Sequence, residues 1–334
     1  MMRAWLKNMA PRWLADAWDA RRIARSYARL SALDESEYPD AVRAWYRWNS
    51  GMELDLDNPQ TYDEKLQWIK LYGTTPETGR LSDKYLVRPW VAERVGEEVL
   101  VPLLGVWDNA DDIDFDALPD RFVLKATHGC GWNIVVTDKG ALDQEAARAQ
   151  CATWLGMNYA FANGLELHYR WCEPRIIAEE YLCNEAGEAP DYKFFCFKGK
   201  VACVGLVRDR SSNSSEACFD ENWNKLPCIY YTHARIEEDV PKPAGFERAR
   251  EVAEALAAGF EHVRVDLYIL DDGTVRFGEM TFTTLSGLAS WDPPSYNREF
   301  GALIDLSTFP AWRDLHGDPA DAPGRDREDG QGAS

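Results

Sequence analysis

The sequence predicts an α+β fold, with helices through the first third and antiparallel hairpins beyond it. Three observations carry this. In the stretch His262–Gly287, two apolar, β-rich runs (Val263–Leu270 and Thr274–Met280) flank Asp272-Gly273, a strong short-range hairpin signal. Phe194–Phe197 and Lys200–Val207 flank Lys198-Gly199 in the same way. Upstream, Thr61 followed three residues later by Glu64 forms a capping box, with Leu66, Ile69 and Lys70 at helical spacing behind it.

At 334 residues the chain is long for one compact core, so two or three lobes are expected. It is 46% hydrophobic and 12% aromatic, a globular composition. The net charge of −19 excludes general nucleic-acid binding, which needs a basic footprint, and any phosphate-binding bases must be clustered. The eight cysteines show no C-x-x-C pair and no zinc spacing. With no secretory signal read, reduced thiols in the cytoplasm are expected. No apolar run approaches the ~20 residues that span a bilayer.

Residues 1–30 read as helix, broken near Pro11. Seven bases (Arg3, Lys7, Arg12, Arg21, Arg22, Arg25, Arg29) face two acids, a local net of +5, with Trp5, Leu6, Met9, Trp13 and Trp18 on an apolar side. The preferred reading packs this helix on the protein's own body; the other is a peripheral contact with an anionic membrane at its inner face. Residues 34–72 continue helical. Ser82-Asp83-Lys84 opens a helix through Val95, and Lys84 in its first turn opposes the helix dipole unless an anion lies nearby. Val99–Trp107 is a buried strand, followed by an acidic loop, Asp108–Asp120. Phe122–Lys125 and Ile134–Thr137 are strands around a glycine-bearing loop, Ala126–Asn133, whose N–H groups can wrap phosphate. It is not a Walker A loop, lacking G-K-[ST] and a following helix. Lys125 inside an apolar strand needs a partner. Residues 141–170 read as helix, with His168 in a packing role. Arg175–Leu182 is a strand ending in Glu179-Glu180, and Asp191-Tyr192-Lys193 leads into the second hairpin. Arg208–Glu216 is a polar loop able to close over a ligand. Pro241–Phe260 is a helix, and residues 316–334 should be disordered.

A two-residue turn at Asp272-Gly273 sets Asp266 opposite Glu279, Tyr268 opposite Phe277 and Leu270 opposite Val275. Two facing carboxylates repel. A hard divalent cation such as Mg²⁺ between them removes that cost. Arg264 and Thr281, two residues further along each strand, share that face. Tyr268 and Phe277 on the same side suggest that it is covered, against the alternative of an ordinary surface hairpin.

The order of these residues resembles the ATP-grasp superfamily of carboxylate–amine ligases: Lys84, then Lys125 before a glycine loop, E-E-Y-L at Glu179–Leu182, Asp191, R-x-D at Arg264–Asp266, and Glu279 two before Thr281. The phrases LSDKYLVRPWVAERVG, FVLKATHGCGWNIVV and FGEMTFTTLSGL are similar, more narrowly, to the TupA-like ATP-grasp family, associated with cell-surface polysaccharide and teichuronopeptide biosynthesis. The resemblance covers roughly residues 55–310 and implies two α+β lobes with antiparallel sheets gripping ATP. It divides the chain into an N-terminal helical extension (1–54), a helical and pre-grasp region (55–120), a first lobe (121–182), a second lobe with the metal hairpin (183–310) and a disordered tail (311–334).

The resemblance also implies roles. Lys84, Lys125 and Lys193 hold the nucleotide, and Gly129, Gly131 and Asn133 belong to the loop over its γ-phosphate. Glu179 accepts from the adenine amine, the Glu180 carbonyl and Leu182 amide complete the adenine edge, and Asp191 binds ribose. Asp266, Glu279 and Thr281 ligate Mg²⁺, and Arg264, with Lys125, acts in catalysis. Thr281 stands where many of these ligases have Asn, a stronger oxygen donor, and Leu285 where the family phrase has Pro. The implied reaction is phosphorylation of a carboxylate to an acyl phosphate and its attack by an amine, with a uronic acid and an amino acid as candidate partners. Three other readings stay open: a glycosyltransferase, for which Asp112-Ile113-Asp114 formally supplies D-x-D; a kinase on the same scaffold; and a nucleotide-binding protein without turnover.

Overall fold

The computed structural model describes residues 24–185, 187–209 and 213–316. The expectations for residues 1–23, for the centre of the 208–216 loop and for residues 317–334 lie outside them. Residues 24–30 are helical. Helix α1 (Tyr38–Ser50) ends at Gly51, whose φ of 75° lets the chain turn in the left-handed region. Helix α2 (Tyr62–Tyr72) opens with the expected capping box: Thr61 accepts from the Glu64 N–H, and Glu64 reaches back to the Thr61 N–H. Helices α3 (Pro76–Ser82) and α4 (Arg88–Val95) follow.

Strands β1 (Leu103–Trp107), β2 (Phe122–Ala126), β3 (Asn133–Val136) and β4 (Ile176–Glu180) form an antiparallel sheet in the order β1-β4-β2-β3. Alternate residues divide its faces. Phe122, Leu124, Ala126, Ile176 and Ala178 pack on helix α5 (Gln144–Leu155) through Ala147, Cys151 and Trp154. Val123, Lys125 and Glu179 therefore point the other way.

A small hairpin, β5 (Cys183–Asn184) and β6 (Gly187–Glu188), leads to the second sheet. This contains β7 (Asp191–Phe197), β8 (Lys200–Arg208), β9 (Ser215–Phe219), β10 (Lys225–Leu226), β11 (Ala234–Arg235), β12 (His262–Ile269) and β13 (Val275–Thr281). The order is β10-β9-β8-β7-β12-β13, antiparallel, with β11 joining β9 in parallel. On one face Phe194, Leu206, Val265, Leu267 and Phe277 bury against helix α6 (Phe246–Ala257). Each such side chain stabilises by roughly 1.5–3 kcal/mol. On the other face Phe195, Phe197, Cys203 and Cys218 pack beneath α2, with Tyr62, Trp68 and Trp291. Helices α7 (Ser295–Ala302) and α8 (Pro310–His316) are the last described elements.

Several sequence expectations are corrected. The region expected to be helical over 34–72 does restart at Thr61, but residues 51–61 before it are irregular, where Gly51 and Pro59 interrupt the ladder. No helix opens at Ser82: α3 ends there, and Asp83 Oδ1 accepts from the N–H groups of Tyr85 and Leu86, so Lys84 sits in a capped turn before α4. The region 141–170 holds one helix and then 3-10 turns at Tyr159–Phe161 and Leu167–Trp171. The tail expected from 311 begins as helix α8.

The main hairpin carries the most informative difference. Asp266 faces Glu279 and Arg264 faces Thr281, as expected, but Leu267 faces Phe277, Tyr268 faces Arg276 and Ile269 faces Val275. The loop has three residues, not two: Leu270 and Thr274 close it, and Gly273 takes the left-handed φ of 83°. That shifts the register by one. A bulge at Gly278, between the pairs of Asp266 and Leu267, shifts it back. Phe277 is therefore in the α6 core, not beside Tyr268. A Cβ at position 278 would lie 3.0 Å from the Asp266 carbonyl, so the bulge suits glycine.

Candidate functional site

Cross-strand pairing lines up the side chains of one cleft-facing row. Asp266 sits between Lys193 on β7 and Glu279 on β13, and Tyr268 sits beside Asp191. The facing acids are tolerated because cations surround them. Arg264 grips Asp266 with two parallel bonds, Nε to Oδ1 at 2.6 Å and a terminal nitrogen to Oδ2 at 2.7 Å, and Lys193 Nζ adds a third at 2.7 Å. Such charge-assisted, bidentate contacts are the strong kind. Burial works to raise the Asp266 carboxyl, but Arg264 and Lys193 overcome it and hold its pKa at about 2. Glu279 is more open, its side chain 23% exposed, and Lys84 Nζ lies 3.3 Å from it. Burial depresses the Lys84 ammonium, yet Glu279 raises it above its ordinary value on balance. Thr281 Oγ1 accepts from Arg264 at 3.1 Å and donates to Glu279 at 3.2 Å, so its hydroxyl is engaged within the hairpin.

Lys84 bridges to the glycine loop, donating to the Gly129 carbonyl at 2.6 Å. The loop is held close: a Cβ at Gly129 would come within 2.7 Å of Tyr159 and 2.8 Å of Trp132. Gly131 takes a φ of 72° in open space. The anion that Lys84 needs at its turn is thus the Glu279 carboxylate of the β12–β13 hairpin.

A cleft of about 330 Å³ opens between the sheets, with Val123, Lys125 and Asn133 on one wall and Glu180, Tyr181, Leu182, Glu188 and Tyr268 among the others. Lys125 pairs with Glu179 at 2.7 Å, and Arg88 holds the other oxygen of Glu179 at 3.0 Å while also donating to the Val101 carbonyl. The lysine in an apolar strand therefore has its partner, and Glu179 is clamped behind the cleft wall. Asp191 is buried, with Lys193 Nζ at 3.3 Å.

The structure thus brings together Lys84, Gly129, Arg264, Asp266, Glu279, Thr281 and Lys193 at one end, and Lys125, Asn133, Glu180 and Leu182 at the cleft. Glu179 and Asp191 sit behind its walls. Sequence reasoning missed Arg88, Glu188, Tyr181 and the cleft role of Tyr268. Glu188 had a signal, as an acid at the far end of the small hairpin that follows E-E-Y-L; Arg88 had none, being brought to Glu179 by the fold alone.

Among the described residues no cluster of three or more His, Cys, Asp or Glu forms a metal cage. The donor set fits Mg²⁺ nonetheless, because Mg²⁺ usually takes one or two carboxylates and completes its shell with water and phosphate oxygens. Asp266 and Glu279 are the two carboxylates that could serve.

Two antiparallel sheets closing on a cleft, with paired acids on a hairpin at its end, define an ATP-grasp protein. The chain belongs to the TupA-like ATP-grasp family, whose profile matches residues 64–305. No curated protein matches it. Among solved structures it is similar to D-alanine–D-alanine ligase from Bacillus anthracis complexed with ATP (17% identity, 60% of this chain and 53% of that one, TM-score 0.35). It is also similar to the biotin carboxylase–β-γ-ATP complex from Campylobacter jejuni (18%, 60% and 40%, 0.37) and to N5-carboxyaminoimidazole synthetase from Staphylococcus aureus complexed with ADP (12%, 60% and 44%, 0.36). The chain spans about half the length of the first of these and less of the others.

Proposed function

We propose that the protein is a Mg-ATP-dependent carboxylate–amine ligase. The observation that carries this reading is the facing pair Asp266–Glu279, embedded in Arg264, Lys193 and Lys84 at the end of an inter-sheet cleft. Adenine lies in the cleft between Val123 and Tyr268, against the backbone of Glu180–Leu182, and Glu188 takes the ribose role that the family resemblance gave to Asp191. Lys125 is freed from Glu179, and Lys84 from Glu279, to meet phosphate. Asp266 and Glu279 would hold Mg²⁺, which would supply charge neutralisation at the phosphates.

The residues do the rest by position. Arg264, fixed by Asp266, presents its remaining edge toward the transferring phosphoryl group. The glycine loop, anchored by Lys84, covers it and excludes water. No protein nucleophile is needed: the substrate carboxylate attacks the γ-phosphorus and ADP leaves, then the amine attacks the acyl carbon, loses a proton and expels phosphate. The substrates are a carboxylate and an amine of a cell-surface polysaccharide or its precursor, with a uronic acid and an amino acid as the first pair to try.

The test is ADP release with candidate carboxylates crossed against amino acids. Release that requires both partners supports ligation. A stable phosphorylated product formed without amine selects the kinase reading, and UDP-sugar binding without ATP binding selects the glycosyltransferase.

A further inference from the structure

Helix α1 has two apolar sides. Tyr38, Val42 and Tyr46 are buried in the body of the protein. Ala44, Trp45 and Trp48 run along a second stripe at helical spacing, and nothing among the described residues covers its outer end. Trp48 is 78% exposed and Met52, just past the helix, 49%; Trp48 is the most exposed large hydrophobic side chain described. Between this stripe and residues 24–30 lies a groove of about 490 Å³, walled by Arg25, Arg29, Leu30, Ala44, Trp45 and Trp48.

The charges around the stripe are sorted. Arg43 and Arg47 on α1 are neutralised by Asp40 and Glu53. Arg25 and Arg29, one helical turn apart and exposed, have no ion-pair partner among the described residues. The sequence immediately upstream continues the pattern with Arg21 and Arg22, and residues 1–30 carry +5 in a chain of −19. An exposed tryptophan with an apolar body and a polar N–H, flanked by unpaired arginines, matches the interface of an anionic bilayer, where indoles sit at headgroup depth and guanidiniums meet phosphate.

We propose that this face docks on an anionic phospholipid surface, with Trp48 and Met52 entering the headgroup layer and Arg25 and Arg29 on lipid phosphates. The inference does not depend on the ligase reading, because none of these residues belongs to the nucleotide site. Docking would orient the site as well: Trp45, in the groove wall, also stacks under Lys70 Nζ at 4.2 Å, and Lys70 holds Ser286 in the segment after β13.

The experiment is flotation of the full chain with vesicles of phosphatidylcholine alone or mixed with phosphatidylglycerol. Binding is expected only with phosphatidylglycerol and should weaken with salt. Near an anionic surface each base contributes ~1 kcal/mol, so Arg25→Gln with Arg29→Gln should weaken binding roughly 30-fold. Trp48→Ser should weaken it several-fold, and both variants should melt like the unaltered protein, since the side chains are exposed. Absence of phosphatidylglycerol-dependent binding overturns the proposal. So does binding that both variants retain and that only removal of residues 1–23 abolishes, which assigns the contact to that segment alone. A concentration-dependent dimer abolished by Trp48→Ser, without vesicle binding, overturns it in favour of a second copy.

Discussion

Asp266 and Glu279 face each other but should respond very differently to loss of charge. Asp266 is nearly inaccessible and carries three charge-assisted bonds, two from Arg264 and one from Lys193. In Asp266→Asn the buried guanidinium loses its counter-charge. Removing one partner of such a buried pair costs about 3–5 kcal/mol. At roughly 2–4 °C per kcal/mol for a domain of a few hundred residues, the melting temperature should fall on the order of 10 °C. Glu279 is 23% exposed, its nearest cation is at 3.3 Å, and Arg264 keeps Asp266 after the change. Glu279→Gln should therefore cost less: Lys84 keeps the Gly129 carbonyl, and the repulsion between Glu279 and Asp266 is relieved. Both variants should lose Mg²⁺-dependent nucleotide binding. Thermal melts of the two proteins, with ADP binding measured with and without Mg²⁺, check this. Equal melting temperatures, or a Glu279→Gln protein less stable than Asp266→Asn, would refute the assignment of Asp266 as the buried anchor and Glu279 as the accessible acid.

Lys125→Ala removes the cleft-wall lysine that holds Glu179 at 2.7 Å, and should weaken ADP binding roughly tenfold by isothermal titration with little loss of fold, since Arg88 still pairs with Glu179. Gly278→Ala touches no ligand, but its Cβ would press on the Asp266 carbonyl at 3.0 Å; it should lower Mg-ADP affinity by displacing the strand, which a titration beside the unaltered protein reads directly. His262 is buried between the Tyr62 hydroxyl and the Cys196 carbonyl, each at 2.9 Å, and burial pushes its pKa down to about 3. The unfolded chain binds that proton near pH 6.5 and the folded chain does not. The stability contributed is complete above pH 6.5 and is lost as pH falls toward 3, by ~1.4 kcal/mol per unit. Denaturant melts of His262→Asn should show a shallower decline between pH 6.5 and 4.5; parallel curves would contradict this.

The parts legible in the sequence were those governed by local rules. The capping box of Thr61 and Glu64, the Lys198-Gly199 hairpin and the facing of Asp266 and Glu279 follow from neighbours in the chain. The last was correct through two offsetting shifts, a longer loop at Gly273 and a bulge at Gly278, neither of which strand alternation reports. Alternation alone therefore predicts the wrong face for Phe277 and the right one for Glu279. Lys84 was legible as a cation wanting an anion, but its helix was not there, because Asp83 caps a turn instead. Arg88 reaches Glu179 across 91 positions and Trp45 reaches Lys70 across helices; long-range contacts of this kind leave no mark in spacing.

The account stands most directly on calorimetric titration of ADP into the unaltered protein, with Mg²⁺ and again with EDTA. It predicts one site whose affinity rises at least tenfold with Mg²⁺, because Asp266 and Glu279 accept the ion that the phosphates bring. Equal affinity in both buffers, or no heat in either, would contradict it.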